Sequence, residues 1–301
     1  MNKRLLIIVM AFLSLAVSAK NRYSIKEDNY HFGYVSVGGG YTSLSSRSDA
    51  ISVKGGLGYQ FGLGYEFRKH GFWINAGLQL QNLSSSLTVQ EHQYVSPTGG
   101  MDHYGNEVKE YRYTINQQDK QNWKTLDIPI MAGYYTNGFY VGAGLKFAFP
   151  IHNTSTISGS YDIDAVYERY DGIVSDMLYY KTYPYESKSN SYSIRPMFSV
   201  LGEIGYDVLS SMGNNGRICH VLKIGLYAEY GIKSLQTSPP TESLTINPKN
   251  ITDVVINPYL TSEASAKHWT VPYFVGLKIT YMIGGSRSAT STWHKGCQCY
   301  E

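Results

Sequence analysis

The chain has 301 residues, with 26 Lys+Arg against 23 Asp+Glu, 30 Gly, 28 Tyr and only 16% charged residues. A formal net charge of +3 gives none of the basic surface that nucleic acid requires, and three cysteines cannot supply a disulfide framework. What remains is the composition of many short strands with close backbone packing and aromatic girdles.

Residues 1–19, MNKRLLIIVMAFLSLAVSA, place Lys3 and Arg4 ahead of an apolar run from Leu5 to Val17, with small residues at Val17 and Ala19 in the −3 and −1 places of a cleavage site. This reads as a secretory signal peptide; no Cys follows it, which argues against a lipoprotein anchor. Its removal takes away two basic residues and no acidic one, leaving 24 − 23 = +1. Beyond it no run approaches the roughly 20 apolar residues of a membrane helix. Residues 20–31 are polar and form a periplasmic lead-in.

From Phe32 the period becomes two. The expected strands are Phe32–Leu44, Ile51–Arg68, Gly71–Val89, then a hairpin running from Trp123 to Pro150, then Tyr192–Leu209, Cys219–Leu235 and His268–Ile283. In the second of these, Ile51, Val53, Leu57, Tyr59, Phe61, Leu63, Tyr65 and Phe67 share one parity, and Lys54, Gln60 and Glu66 the other. Lys69-His70 turns the chain into the third. In the hairpin, Leu126, Ile128, Ile130, Ala132 and Tyr134 lie opposite Asp127, Pro129, Met131 and Gly133, and Asn137-Gly138 is a strong tight-turn signal. The off-face of these strands is glycine and isolated charge, which suits a crowded polar interior, so the apolar face is assigned to lipid. Residues 284–301 form a polar C-terminal tail.

The segments 90–122, 151–191 and 236–267 follow the third, fifth and seventh strands, whereas the connections after the second, fourth and sixth are short. Tight periplasmic turns alternating with long external loops, and an even strand count, predict an all-β, transmembrane, antiparallel up-and-down barrel of eight strands over 32–283, in the outer membrane of a Gram-negative bacterium. Tyr161, Ile163, Ala165 and Tyr167 alternate with Asp162, Asp164 and Glu168 before Asp171-Gly172. They are read as an external hairpin prolonging strands five and six, with ten strands as the alternative.

The motif LDIPIMAGYY at Leu126–Tyr135, with the signal peptide and strand count, resembles the PorT-like outer-membrane β-barrel family of Bacteroidetes-type bacteria. The resemblance covers the barrel and not the loops, and Asp127-Ile128-Pro129 carries most of it. It implies an outer-membrane protein, one branch of the family being linked to protein secretion, and it implies no enzyme.

The expected inward charges are Lys54, Lys146, Arg195, Lys223, Lys233 and Lys278 against Glu66, Asp127, Glu203, Asp207 and Glu229. An eight-stranded barrel is just wide enough for side chains to fill it, so these are expected to pair into a plug, with a proton or ion path as the other reading. Histidines 31, 70, 92, 103, 152, 220, 268 and 294 are scattered without a pairing that spells catalysis. Cys297-Gln298-Cys299 lacks the spacing of a zinc knuckle, and Cys219 is placed to reach either tail cysteine. No catalytic, cofactor or metal residue is assigned. Tyr94, Tyr104, Tyr111, Tyr113, Tyr161, Tyr167, Tyr170, Tyr179, Tyr180, Tyr183 and Tyr185 crowd the long segments, either as a recognition surface or packing one another. The expected partners are outer-membrane lipid and proteins met at the external loops or the periplasmic face. The functions carried forward are a surface structural or binding protein and an accessory of a secretion or envelope-assembly complex, with a lipid-modifying enzyme given least weight.

Overall fold

In the computed structural model, residues 29–46, 51–96, 100–101, 107–167, 182–187, 190–212, 218–235, 244–247, 250–262 and 270–287 are described. They form β1 (Asn29–Ser46), β2 (Ile51–Lys69), β3 (Phe72–Ser96), β4 (Gly100–Met101), β5 (Glu107–Thr136), β6 (Phe139–Tyr167), β7 (Tyr183–Glu186), β8 (Asn190–Ser191), β9 (Met197–Met212), β10 (Ile218–Gly231), β11 (Leu244–Asn247), β12 (Asn250–Ile256) and β13 (Thr270–Arg287). Eight of these close a ring. β1, β2, β3, β5, β6, β9 and β10 pair antiparallel in that order, and β13 joins β10 back to β1, with Asn29 opposite Arg287 and Ser46 opposite Thr270. β1 and β13 thus begin and end a few residues beyond the expected 32–283. Eight is the count, and the segment from Ile157 to Tyr167 prolongs β6 rather than adding membrane strands; Asp171-Gly172 lies outside the described residues.

Two turns are tight for a backbone reason. Asn137 (φ 49°) and Gly138 (φ 84°) both take the left-handed conformation that a two-residue hairpin of this twist demands. His70 (φ 50°) and Gly71 (φ 84°) do the same, so the second turn falls on His70-Gly71, one residue later than expected.

The belt is inverted relative to a water-soluble barrel. Val37, Phe61, Ile74, Leu80, Ile130, Leu145 and Ile279 face outward and are exposed, while Gln60, Gln79, Asp127, Lys146 and Glu229 face inward and are buried. On β5 the apolar outer face runs from Leu126 to Tyr134, which at about 3.3 Å per residue and a tilt near 40° spans roughly 20 Å, close to the height of a membrane-crossing belt.

Above the belt, β3, β5 and β6 continue as strands through what read as loops: β5 pairs with β3 as far as Ser96↔Tyr111 and with β6 as far as Val108↔Tyr167. Here the pattern reverses, with polar side chains outward and apolar ones inward. β3 and β5 reverse by exchanging residue types. β2 and β6 reverse by bulges, where the ladder slips between Gly55 and Tyr59 and between Lys124 and Thr125. An extra residue moves every later side chain to the other face. Ile51 and Val53, expected against lipid, therefore pack inward, and Lys54, expected inside, is exposed. Both slips fall at one row of the sheet, where Tyr59, Asn82, Lys124 and His152 are successive neighbours.

Candidate functional site

Inside the belt the charges interlock. At the end carrying the tight turns, Arg68 donates from Nε to Glu66 (2.7 Å) and from Nη1 to Asp207 (2.9 Å), and its guanidinium lies 4.9 Å from the Tyr135 ring centroid. Lys223 Nζ reaches both Glu66 oxygens, at 3.1 and 3.0 Å, and sits 4.3 Å from the Tyr140 ring. The Tyr140 hydroxyl and Lys278 Nζ each donate to Glu203 at 2.8 Å. Higher up, Lys146 bridges Asp127 (2.9 Å) and Glu229 (2.5 Å) and also donates to Gln81, whose amide donates to Glu229 at 3.1 Å. All these charged groups are buried.

Rings fill the space between them. A Cβ on Gly142 would come within 2.2 Å of the Trp73 ring, and one on Gly225 within 2.3 Å of the Tyr140 hydroxyl. Only glycine lets these side chains lie flat against the wall. The lumen is thus packed with paired charge and aromatic rings, the arrangement expected of eight strands.

Three expected members are elsewhere. Lys54 lies beyond the β2 bulge, Arg195 precedes the first residue of β9, and Lys233 follows the last of β10; all three are exposed. One member was missed. Arg68 shares the parity of Glu66, and that parity was the signal for it; placing it at a strand end hid it.

Beyond the slipped row lies a second, apolar core. Tyr111, Tyr113 and Ile115 of β5 and Ile157, Tyr161 and Ile163 of β6 pack with Leu244, Val254 and Ile256 of the hairpin β11–β12. Tyr94, Tyr167, Tyr183 and Tyr185 join this cluster, so of the tyrosines singled out in the sequence, those described pack one another; Tyr104, Tyr170, Tyr179 and Tyr180 lie outside the described residues. Hydrogen bonds fasten the hairpin to the ribbon: Tyr161 Oη to the Thr252 carbonyl (2.7 Å), Tyr113 Oη to Ile251 (3.2 Å) and Gln117 Nε2 to Asn257 (3.1 Å).

From this hairpin the chain drops a 3₁₀ turn, Tyr259–Thr261, into the barrel mouth, where Tyr259 and Leu260 pack in one cluster with Leu44, Leu87, Trp123 and Phe274. Asp119 of β5 holds it. The Tyr259 amide donates to its Oδ2 at 2.8 Å, and the Ser155 hydroxyl donates to Oδ1. Burial pushes the Asp119 carboxyl up to about 6, against the opposing hydrogen bonds from Ser155, Tyr259 and Gln121.

The described histidines do not converge on these carboxylates. His31 and His220 face outward near the tight-turn end, where they meet the Tyr65 and Tyr281 hydroxyls, His70 is in a turn, and His152 is exposed. Among the described residues no group of three or more His, Cys, Asp or Glu is arranged to hold a metal ion. Cys219 is buried in β10; Cys297 and Cys299 lie outside the described residues, as do residues 1–28.

No family model and no curated protein matches the sequence. Among solved structures, the chain is similar to Ail, the attachment invasion locus protein of Yersinia pestis, in a crystal structure with the heparin analogue sucrose octasulfate. The likeness covers 83% of this chain and 98% of that one, at 8% identity and a TM-score of 0.28, and so loose a superposition brings neither ligand nor role to this chain.

Proposed function

We propose that this is an outer-membrane barrel of a Gram-negative bacterium, exported by a signal peptide over 1–19, which works without catalysis as a surface binding protein. Its tight turns and the first and last residues of the ring, Asn29 and Arg287, then face the periplasm, and the module of β5, β6, β11 and β12 stands outside the cell. The observation that carries this reading is the module's own apolar core. Reversing a strand needs two residues, as Asn137-Gly138 shows, whereas a ribbon with a buried tyrosine cluster and a hairpin fastened across it holds an exposed surface in one shape, which is what preorganised recognition requires. The packed lumen argues against transport.

The test is to replace 236–267 and the ribbon above the belt with short Gly/Asn turns. The trimmed barrel should insert, migrate faster unboiled than boiled, and fail to restore the phenotype of a deletion strain. Full complementation by the trimmed barrel would overturn the binding role. The second reading is a PorT-like secretion accessory, which the Asp127-Ile128-Pro129 resemblance favours. It places the sensitive parts at 20–31, 210–218 and 284–301; since β13 takes in the tail as far as Arg287, loss of complementation on truncating 288–301 would move the assignment there.

A further inference from the structure

The residues that left the lumen define a surface. Lys54 stands opposite Ser86, Ser86 opposite Lys120, and Lys120 opposite Thr156; four residues down β5, Lys124 stands between Asn82 and His152. Lys54, Lys120, Lys124 and His152 are all exposed on the outer face of adjacent strands. Strands about 4.8 Å apart and a rise of about 3.3 Å per residue put the three lysines within a patch roughly 10 by 13 Å.

The outward neighbours within the patch are Ser, Thr, Asn and Gln: Ser84, Ser86, Gln118, Asn122, Thr154 and Thr156. Among the described residues, the outward carboxylate nearest the patch is Glu186 of β7, opposite Ser158, which itself stands opposite Gln118; Glu107, Glu110, which pairs with Arg112 (2.7 Å), Asp162 and Asp164 lie nearer the far end of the ribbon. Among the described residues no ion pair engages Lys54, Lys120 or Lys124. Immediately below, the two ladder slips push out apolar side chains, Leu57 at 80% exposure and Ile151 at 62%, at the upper edge of the belt. A surface with cations and hydroxyls above and protruding aliphatic groups below has the layering of a lipid molecule.

We infer that Lys54, Lys120 and Lys124, with Leu57 and Ile151 beneath them, form a binding site on the barrel's outer wall for a phosphate-bearing glycolipid of the outer leaflet. The lysines meet headgroup phosphates as point charges and the two aliphatic side chains meet acyl chains. The inference rests on the membrane placement proposed above and not on the binding role of the module.

The test uses the full chain refolded in neutral detergent, titrated with a bisphosphorylated outer-leaflet glycolipid and with its dephosphorylated form, reading lipid retention by native mass spectrometry and the shift in Tm. The wild-type chain should retain the phosphorylated lipid selectively. Each lysine removed in K54Q, K120Q and K124Q should weaken retention about fivefold, while Tm without lipid stays unchanged because these side chains are exposed. Equal retention by the triple variant, or of the dephosphorylated lipid by the wild type, would overturn the inference, as would a Tm rise with inorganic phosphate as large as that with lipid. A wrong membrane placement shows separately, as a chain that does not fractionate with the outer membrane.

Discussion

Lys146 is held between Asp127 and Glu229 where water does not reach. Removing its ammonium leaves two like charges facing each other in a medium that cannot solvate them, so Lys146→Met is expected to cost about 3–5 kcal/mol. The urea midpoint at which the fast-migrating unboiled band disappears measures this. Lys54→Met, on the outer wall, should stay within about 0.5 kcal/mol of the parent. Asp119 gives a pH dependence of definite sign. Its carboxyl is raised to about 6 by burial from an ordinary value near 3.9, so the folded module holds the proton more tightly than the unfolded chain does. That contribution is fully present below about pH 4 and is lost as pH rises through about 6. Hydrogen exchange of the Tyr259 amide, corrected for its intrinsic rate, should therefore slow from pH 7.5 to pH 4.5, and Asp119→Asn should remove most of the change. The inward placement of Asp127, Lys146, Glu203, Lys223, Glu229 and Lys278 followed from alternation alone. Asp119 was not legible, because its role depends on a turn about 140 residues away in sequence.

The strands show where alternation stops being a guide. Along β2 the apolar residues keep odd numbers from Ile51 to Phe67, and along β6 they keep odd numbers from Phe147 through Ile157 to Ala165, so neither run signals a change of side. The change is made in space by one extra residue, at the row where the surroundings pass from lipid to water. Deleting Ile151 should give β6 an unbroken ladder with Lys124 still opposite His152, and so leave Ile157, Tyr161 and Ile163 facing inward. The barrel should still insert and resist detergent, and the module above the slip should stay as resistant to added protease as in the parent. Cleavage of the module in an inserted variant would show that the extra residue does more than set the side on which later residues fall. Turns were more legible than bulges, since Asn-Gly names its own conformation and nothing in GGLGY or FPIH does so.

At the scale of the whole molecule, the alternation of short and long connections sufficed for eight strands and the closed ring. The hairpin that prolongs β6 is legible in the alternation from Tyr161 to Tyr167, whereas the strands of 90–122 read as loop because, outside the belt, a strand shows the ordinary pattern of polar side to water and apolar side to core, the reverse of what identifies the barrel. With the lumen packed by paired charge and the mouth covered by Tyr259–Thr261, the protein in a planar bilayer should carry no steady ionic current at 1 M salt. A reproducible conductance step would refute the packed lumen.

The seam between Asn29 and Arg287 has a kinetic meaning. The first strand made finds its second neighbour only in the last, so the chain must travel to the membrane with an unsatisfied strand edge at each end of the future sheet, the geometry that invites pairing with the wrong partner. Loop closure over nearly the whole sequence is also among the slowest kinds of folding step. A polypeptide truncated before Thr270 has every strand of the ring but one and still cannot form a cylinder, so it keeps two open strand edges and should aggregate rather than insert.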